Sequence, residues 1–447
     1  MRANGWLAAA LLGAALVLGG GGSPAPLPEL ILSLLAALAA LAWLTLPGSR
    51  NDWQRVPKGA WWIAGLIVAL PLVQLVPLPP FVWQALPGRE VQREALALID
   101  LDETWRPLAL APQRTLAALL SLLPPLLLLV MTACLPSAYR MRLVMVTLTV
   151  ALVALLLGAL QLTAGETSPV HLYDETRPVI TGFQANRNST ADFLLVAMLA
   201  VPLLVRRLVA RHMIPNRAVI VLCLAGGGLA LFALGVVLTA SRTGMALLPI
   251  PLAVSLWLLR DWLAWTRRHL LLALAAVAAS AVLGLVLVRS NPTLMAVAER
   301  FDFTNELRPQ LWRDAAFVAR KYFPFGVGMG DFTPALIADE QLEAVRPFLP
   351  NRAHNDYLEL LIEAGIAGIA VLGACSWIVL RAARQALRDP ARIGEGLAWF
   401  AISGLAVFAL HSMVDYPLRS MAMACLGAVC AGLLMAPRVA PDPGEVE

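Results

Sequence analysis

Long apolar runs alternate with short polar or charged segments along almost the whole chain of 447 residues. A transmembrane helix needs about 20 mainly apolar residues to cross a hydrocarbon core of about 30 Å. The pattern predicts an all-α polytopic membrane protein with about 12 transmembrane helices. The twelve runs lie near residues 5–22, 29–46, 60–78, 116–135, 143–163, 191–205, 218–238, 244–259, 270–288, 357–380, 397–414 and 418–436.

The composition agrees with a membrane protein. Hydrophobic residues make up 59% of the chain and charged residues 14%, with a mean hydropathy of +0.74. Soluble domains have roughly 45–50% apolar and 25% charged residues. These values exclude an ordinary soluble enzyme and a disordered chain. The 34 Lys and Arg are dispersed along the chain, which also argues against a nucleic-acid-binding protein.

The distribution of basic residues predicts the orientation of the spans. With a cytoplasmic N-terminus, the cytoplasmic segments hold 18 Lys or Arg and 7 Asp or Glu, and the rest of the chain holds 16 and 22. Every short cytoplasmic loop is then basic, as the positive-inside rule requires. We therefore expect both termini in the cytoplasm. The first run is interpreted as an uncleaved span because no A-x-A site follows it, and a signal peptide is the alternative.

Three outer segments, 79–115, 164–189 and 289–356, are longer than a turn. A short interfacial helix is expected around 89–99 in the first. In the third, apolar residues at helical spacing predict a helix over 309–323, and a second helix is expected over 332–345.

Two short motifs are interpreted as structural. The sequence GVGMGD at 326–331 lacks the third glycine of a phosphate-binding loop and predicts a turn. The acidic stretch at 100–103 is expected to be solvated, because a metal site needs a convergent set of ligands. The five cysteines form no CxxC pair. We therefore expect neither a metal site nor a cofactor.

Several arginines lie in the outer segments, where the positive-inside rule disfavours them. Arg242 occupies the very short link LTASRTG between two spans, and the loop 289–356 contains Arg308, Arg313 and Arg352. An ionisable group at membrane depth is by default a functional hypothesis. The alternative is an interfacial anchor whose head group reaches the water.

His354 lies in NRAHNDYLELLIEAGIAG, where the large outer loop returns to the membrane. Asp356, Glu359 and Glu363 follow at helical spacing, near a helix N-terminus where negative charge is favourable. An imidazole there can accept a proton from a hydroxyl group. The alternative is a helix-capping cluster without chemistry.

Outward-facing arginines are suited to a diphosphate, because the planar guanidinium donates two parallel hydrogen bonds and keeps its charge. No nucleotide pool is expected outside the cytoplasm, so an activated substrate there would arrive as a lipid diphosphate. Cations stabilise the charge that develops on a diphosphate leaving group. A base is then needed only for the acceptor hydroxyl.

Several motifs, taken in order, resemble the bacterial O-antigen ligase / O-antigen polymerase superfamily. They are NRNSTADFLLVAMLAVPLL at 186–204, TASRTG at 239–244, RPQLWRD at 308–314, PFGVGMGDF at 324–332 and AHNDYLELLIEAGIAG at 353–368. The resemblance divides the chain into spans one to five over 1–185, a ligase-like domain over 186–436 and a cytoplasmic tail over 437–447.

The resemblance implies a GT-C-like, metal-independent, inverting glycosyltransferase in the bacterial inner membrane. Its donor would be an undecaprenyl-diphosphate-linked glycan, and its acceptor a lipid A–core or glycan hydroxyl at the periplasmic face. The matching motifs assign diphosphate binding to Arg242 and Arg308 and acceptor activation or positioning to His354. Supporting, substrate-binding positions would be Asn186, Asn188, Arg313, Asp356 and Glu359. Pro309 follows the loop arginine and departs from the family pattern, which makes Arg313 the substitute for Arg308.

Three other functions stay open on the sequence. The motifs do not separate a ligase, which we favour by analogy, from a polymerase of the same superfamily. A lipid-glycan transporter or flippase could also have twelve spans, although the two halves of the chain are not similar. The third alternative is a non-catalytic scaffold, in which the outer arginines and His354 would have no chemical function.

Overall fold

The computed structural model describes residues 2–21, 26–46, 52–164, 168–173, 179–211, 217–261, 308–339 and 350–437. These ranges are mostly helical, and within them one short antiparallel pair joins β1 (Pro77–Leu78) to β2 (Arg106–Pro107). The helices are α1 (Arg2–Leu18), α2 (Pro26–Thr45), α3 (Lys58–Gln74), α4 (Pro80–Trp83), α5 (Glu90–Ala97), α6 (Pro112–Ser121), α7 (Leu123–Ala133), α8 (Ser137–Thr163), α9 (Arg187–Arg211), α10 (Arg217–Leu238), α11 (Arg242–Leu247), α12 (Pro249–Leu259), α13 (Arg308–Lys321), α14 (Phe332–Asp339), α15 (Asp356–Arg388), α16 (Glu395–His411) and α17 (Met421–Met435). Two single 3-10 turns span Trp53–Arg55 and Pro417–Arg419.

The helices agree with the apolar runs of the sequence. Among the described residues, six helical segments are long and apolar enough to cross a membrane, and α1, α3, α16 and α17 are shorter apolar helices. The predicted run at 270–288 lies outside the described residues. The protein is therefore a helical membrane protein by length and composition, and the count of twelve spans stays a prediction.

The core of the bundle surrounds α9. Its residues from 191 to 200 are all buried, and α8, α10, α12 and α16 pack around it. A helix that is apolar on all sides is expected in the interior of a bundle. Helix α17 packs closely against α7 and also against α16, and α1 contacts α8, α2 and α17.

The predicted outer segments meet one another in the structure. A backbone hydrogen bond from Leu110 N to Val327 O at 2.8 Å joins the first outer segment to the third. The second outer segment bonds to the outer ends of two spans, from Ala185 N to Gly20 O at 2.9 Å and from Ile180 N to Leu238 O at 3.1 Å. At the predicted cytoplasmic side, the buried guanidinium of Arg140 donates to the carbonyls of Leu135, Arg392 and Pro437. Successive spans run in opposite directions, so the segments that connect them gather at two opposite ends of the bundle. Each of these two groups of contacts lies at one end.

Short elements of the outer segments were predicted correctly. The expected helix around 89–99 is α5, and the one over 309–323 is α13. The second helix of this loop begins at Phe332 as α14, and residues 340–349 lie outside the described ranges. GVGMGD forms a turn in which Gly326, Gly328 and Gly330 all have positive φ.

Helix α15 is interrupted at Gly365, where φ is 55° and ψ is −144°. A Cβ atom there would lie 1.9 Å from the carbonyl oxygen of Pro324, so only glycine fits. The break separates a first segment, 356–364, from the apolar remainder of the helix. That first segment carries the acidic residues next to His354.

Candidate functional site

The loop that carries His354 is fixed to the end of α16. Asn355 caps α15 by accepting hydrogen bonds from Tyr357 N at 3.1 Å and Leu358 N at 3.0 Å. Its side chain also donates to Met413 O at 3.0 Å. Asn355 is thus a helix cap, as the capping alternative expected, and it lies next to the partly exposed imidazole of His354.

His354 is held by a buried carboxylate. Its Nδ1 lies 2.7 Å from Asp415 Oδ1, and the side chain of Asp415 is 2% exposed whereas that of His354 is 29% exposed. The backbone of His354 has φ of 49°, which is unusual for a residue other than glycine. Tyr416 packs edge-on against the imidazole, with ring centroids 4.9 Å apart.

Asp415 has the properties of a charged hydrogen-bond acceptor. Burial disfavours its charged form, but the hydrogen bond to His354, the neighbouring His411 and the hydrogen bond from Asn188 hold the pKa of Asp415 below its ordinary value. An ionised Asp415 accepts the proton on Nδ1 of His354. The lone pair of the neutral ring is then on Nε2, which is the arrangement a general base requires.

Asn188 completes this chain of side chains. Its Nδ2 donates to Asp415 Oδ2 at 2.7 Å, and its backbone N–H donates to Asn186 Oδ1 at 2.8 Å. Burial, together with the charge of Asp415, raises the pKa of Tyr416 to about 12, and the Asn186 side chain hydrogen-bonds to that tyrosine. Two predicted supporting residues, Asn186 and Asn188, are therefore brought to His354.

Arg308 is the first residue of α13, and Pro309 follows it at a position that suits proline. Trp312, one helical turn later, donates from Nε1 to Ala353 O at 3.0 Å. Residues four apart share a face of a helix, so Arg308 begins on the face that meets the His354 loop. Its charge also acts on His411, at the end of α16.

Arg242 begins α11, behind the N-cap Ser241. Helix α11 packs against both α9 and α16, the two helices that carry Asn188 and His411. A Cβ atom on Gly244 would lie 2.5 Å from the Ala191 Cβ, so the link approaches α9 closely at this point. Arg242 and Arg308 thus belong to elements that converge on the same end of the bundle as His354.

The acidic residues after His354 are largely engaged by the protein. Glu359 is fully buried, and it accepts from Ala353 N and from Arg352, both at 2.9 Å. Asp356 accepts from Ser412 Oγ at 2.8 Å. Arg419 lies 3.6 Å from both carboxylates and 2.8 Å from Glu363 Oε2. These contacts position the backbone on both sides of His354, and the predicted role in substrate binding for Asp356 and Glu359 stays a prediction.

Arg313, the predicted substitute for Arg308, is exposed on α13, and its Nε lies 3.4 Å from Pro309 O. Within the ranges that the structure describes, no three or more His, Cys, Asp and Glu side chains form a group able to hold a metal ion. The expected independence from metals stays a prediction.

Sequence reasoning missed four residues of this cluster: Asp192, His411, Asp415 and Arg419. A usable sign was the spacing of four between Asn188 and Asp192 and again between His411 and Asp415. In a helix such spacing places two polar residues on one face. It does not tell which two faces meet.

The fold and the site together define a polytopic helical membrane protein with a carboxylate-held histidine and converging arginines at one end. Residues 227–373 match the model of a family described as O-antigen ligase. The match covers about a third of the chain and confirms the resemblance to the O-antigen ligase/polymerase superfamily seen in the sequence. No curated protein matches the chain.

The matched region includes Arg242, Arg308 and His354 and ends before α16. The family supports a ligase- or polymerase-type glycosyltransferase function in general, with lipid-linked glycan and acceptor substrates.

Proposed function

We propose that this protein transfers a glycan from undecaprenyl diphosphate to an acceptor sugar hydroxyl at the periplasmic face of the inner membrane. The reaction class is that of an O-antigen ligase in the synthesis of lipopolysaccharide or a related surface polysaccharide. The single observation that carries the proposal is the 2.7 Å hydrogen bond between His354 Nδ1 and the buried carboxylate of Asp415.

The chemistry follows from the positions of these groups. His354 Nε2 accepts the proton of the acceptor hydroxyl, and Asp415 stabilises the imidazolium that forms. The acceptor oxygen forms a bond to the anomeric carbon of the donor sugar. The bond from that carbon to the diphosphate oxygen breaks, and its electron pair leaves with undecaprenyl diphosphate. Attack opposite to the leaving group inverts the anomeric configuration.

Arg242 and Arg308 would bind the diphosphate. Each guanidinium can donate two parallel hydrogen bonds to phosphate oxygens, and the two charges offset the negative charge on the leaving group. The developing charge is met by side chains in this scheme, which is why the proposal includes no metal ion and no cofactor.

The orientation of the site rests on the charge of the loops. The segments that meet at His354 connect the spans on the side of the membrane that the positive-inside rule predicts to be the outer one. A substrate that reaches this side already activated on a lipid carrier needs no nucleotide. A polymerase would use the same donor and the same residues, with the next lipid-linked repeat as its acceptor.

The test uses purified protein in lipid nanodiscs, a synthetic undecaprenyl-diphosphate oligosaccharide and EDTA. The acceptor is a lipid A–core preparation or is left out. We expect product that depends on the lipid core, whereas product without it would identify a polymerase. Absence of product under both conditions would contradict the proposed enzyme activity.

A further inference from the structure

Two hydrogen-bonded pairs join α9 to the end of α16 below His354. Asn188 and Asp192 lie four residues apart on α9, and His411 and Asp415 lie four residues apart at the end of α16. Asn188 Nδ2 bonds to Asp415 Oδ2 at 2.7 Å, and His411 Nδ1 bonds to Asp192 Oδ1 at 2.6 Å. We call the first the outer pair and the second the inner pair. Because the two residues of each element are four apart, the outer and inner pairs lie one helical turn from each other along the contact between α9 and α16.

The inner pair is deeply buried. The side chains of His411 and Asp192 are 0% and 1% exposed, whereas that of His354 is 29% exposed. In the part of the chain that the structure describes, His411 Nε2 and Asp192 Oδ2 make no hydrogen bond. The two residues therefore rely on each other, because a buried charge without its partner is costly.

The two pairs are connected through the backbone. Asp415 N donates to His411 O at 2.9 Å, so the turn that carries Asp415 starts from the residue that the inner pair fixes. The carboxylate of Asp415 in turn holds His354 through Oδ1, whereas its Oδ2 accepts from Asn188. A displacement of His411 relative to α9 would change the direction from which Asp415 approaches the imidazole.

We propose that the inner pair, His411–Asp192, is a positioning device for the reaction: it sets how strongly Asp415 holds His354. Neither residue touches substrate in this scheme. The proposal rests on the proposed function, because it takes His354 to be the base that accepts the acceptor proton.

Two charged groups act directly on the inner pair: Asp415 on both of its members and Arg308 on His411. The elements packed against α9 and α16 also carry charged residues near this end of the bundle, namely Arg242 on α11, Asp356 on α15 and Arg419 on the 3-10 turn Pro417–Arg419, and Arg352 and His354 lie in the loop before α15. Asp192→Asn keeps the size of the side chain but removes the inner carboxylate. The remaining His411 is then a positive charge without its carboxylate, and it competes with His354 for Asp415. This competition weakens the hold of Asp415 on a protonated His354.

The first readout needs no substrate. Diethyl pyrocarbonate modifies neutral imidazoles, so the extent of His354 labelling as a function of pH, followed by peptide mass spectrometry, reports its protonation. We expect Asp192→Asn to move the midpoint of labelling to lower pH by about half a unit or more. The double variant Asp192→Asn/His411→Gln, which restores a neutral hydrogen-bonded pair, should return it toward the wild-type position.

Thr190→Val is the matched control. Thr190 lies on the same helix, is buried, and donates to Thr181 O at 2.8 Å, outside the two pairs. It should leave the labelling midpoint unchanged although it also loses a buried hydrogen bond. An unmoved midpoint in Asp192→Asn, or an equal shift in Thr190→Val, would overturn the proposal.

The second readout is transfer from the synthetic undecaprenyl-diphosphate oligosaccharide. We expect kcat of Asp192→Asn to fall about tenfold with the KM for this donor changed less than about twofold, because only the base is disturbed. Activity of the double variant should recover. If the wild-type protein shows no transfer but Asp192→Asn still shifts the labelling, the proposed function fails and the coupling between the inner pair and His354 stands.

Discussion

Replacing Asp415 by Asn tests the chemistry of the site with the smallest change in shape. The amide has nearly the size of the carboxylate and can still accept one hydrogen bond. It loses the charge that stabilises the imidazolium of His354 while the acceptor proton is being transferred. The change therefore acts on the transition state more than on the bound substrate.

The structure sets the size of the effect. Asp415 is 2% exposed and lies 2.7 Å from His354 Nδ1, so water neither screens nor replaces the bond. A hydrogen bond to a charged group contributes about 1.5–3 kcal/mol. Since 1.36 kcal/mol in the barrier is tenfold in rate, kcat should fall by roughly 10- to 150-fold.

The assay measures initial rates of glycan transfer in nanodiscs at saturating donor and acceptor. Asp339→Asn is the control, because it also neutralises a carboxylate, one that pairs with Lys321 rather than with His354. Its rate should stay within about twofold of the wild type, because the Lys321–Asp339 ion pair joins α13 to α14 and includes none of the groups that hold His354. A rate for Asp415→Asn equal to that of the control would refute the argument that the buried charge supports a base.

The other predictions concern diphosphate binding, the break in α15 and the stability of the glycine turn. Arg242→Lys and Arg308→Lys should each lower kcat/KM for the lipid-diphosphate donor at least about tenfold, because lysine cannot donate two parallel hydrogen bonds; unchanged kinetics would contradict the assignment. Gly365→Ala should destabilise the fold by about 2 kcal/mol or more, since its Cβ would meet the Pro324 carbonyl at a positive φ; a thermal midpoint equal to that of the wild type would be the contrary result. Burial raises the pKa of Asp331 to about 7. The folded state therefore binds the proton of this carboxyl more tightly than the unfolded state does. The stability that the bound proton contributes is fully present below pH 3.8 and is lost as pH rises through 7. The loss amounts to at most about 1.4 kcal/mol per pH unit, and Asp331→Asn should flatten the dependence of the thermal midpoint on pH between 5 and 8.

Much of the fold could be predicted from the sequence because its physical causes are local. Twenty apolar residues in a row are enough to indicate a membrane helix, and the loop helices α5 and α13 follow from apolar spacing. The turn at GVGMGD follows from its glycines. The break in α15 at Gly365 was not predicted, because it depends on how closely Pro324 approaches, and that contact is set by the tertiary fold.

The site was predictable only in part for the same reason. Arg242 and His354 drew attention because charged and titratable groups are costly at the edge of a membrane. The pairings of His354 with Asp415 and of His411 with Asp192 join residues 61 and 219 positions apart. Helical spacing places each residue on a face of its own element, but the packing of α9 against α16 decides which faces meet.

The central claim is that His354, held by Asp415, removes a proton from an acceptor hydroxyl while the arginines hold a lipid diphosphate. It is tested most directly by the acceptor-dependent release of undecaprenyl diphosphate from a synthetic lipid-linked oligosaccharide, comparing wild type with His354→Gln in the presence of EDTA. We expect release by the wild type and a loss of about 100-fold or more in the variant, the range for removal of a general base. Equal release by the two proteins would contradict the claim.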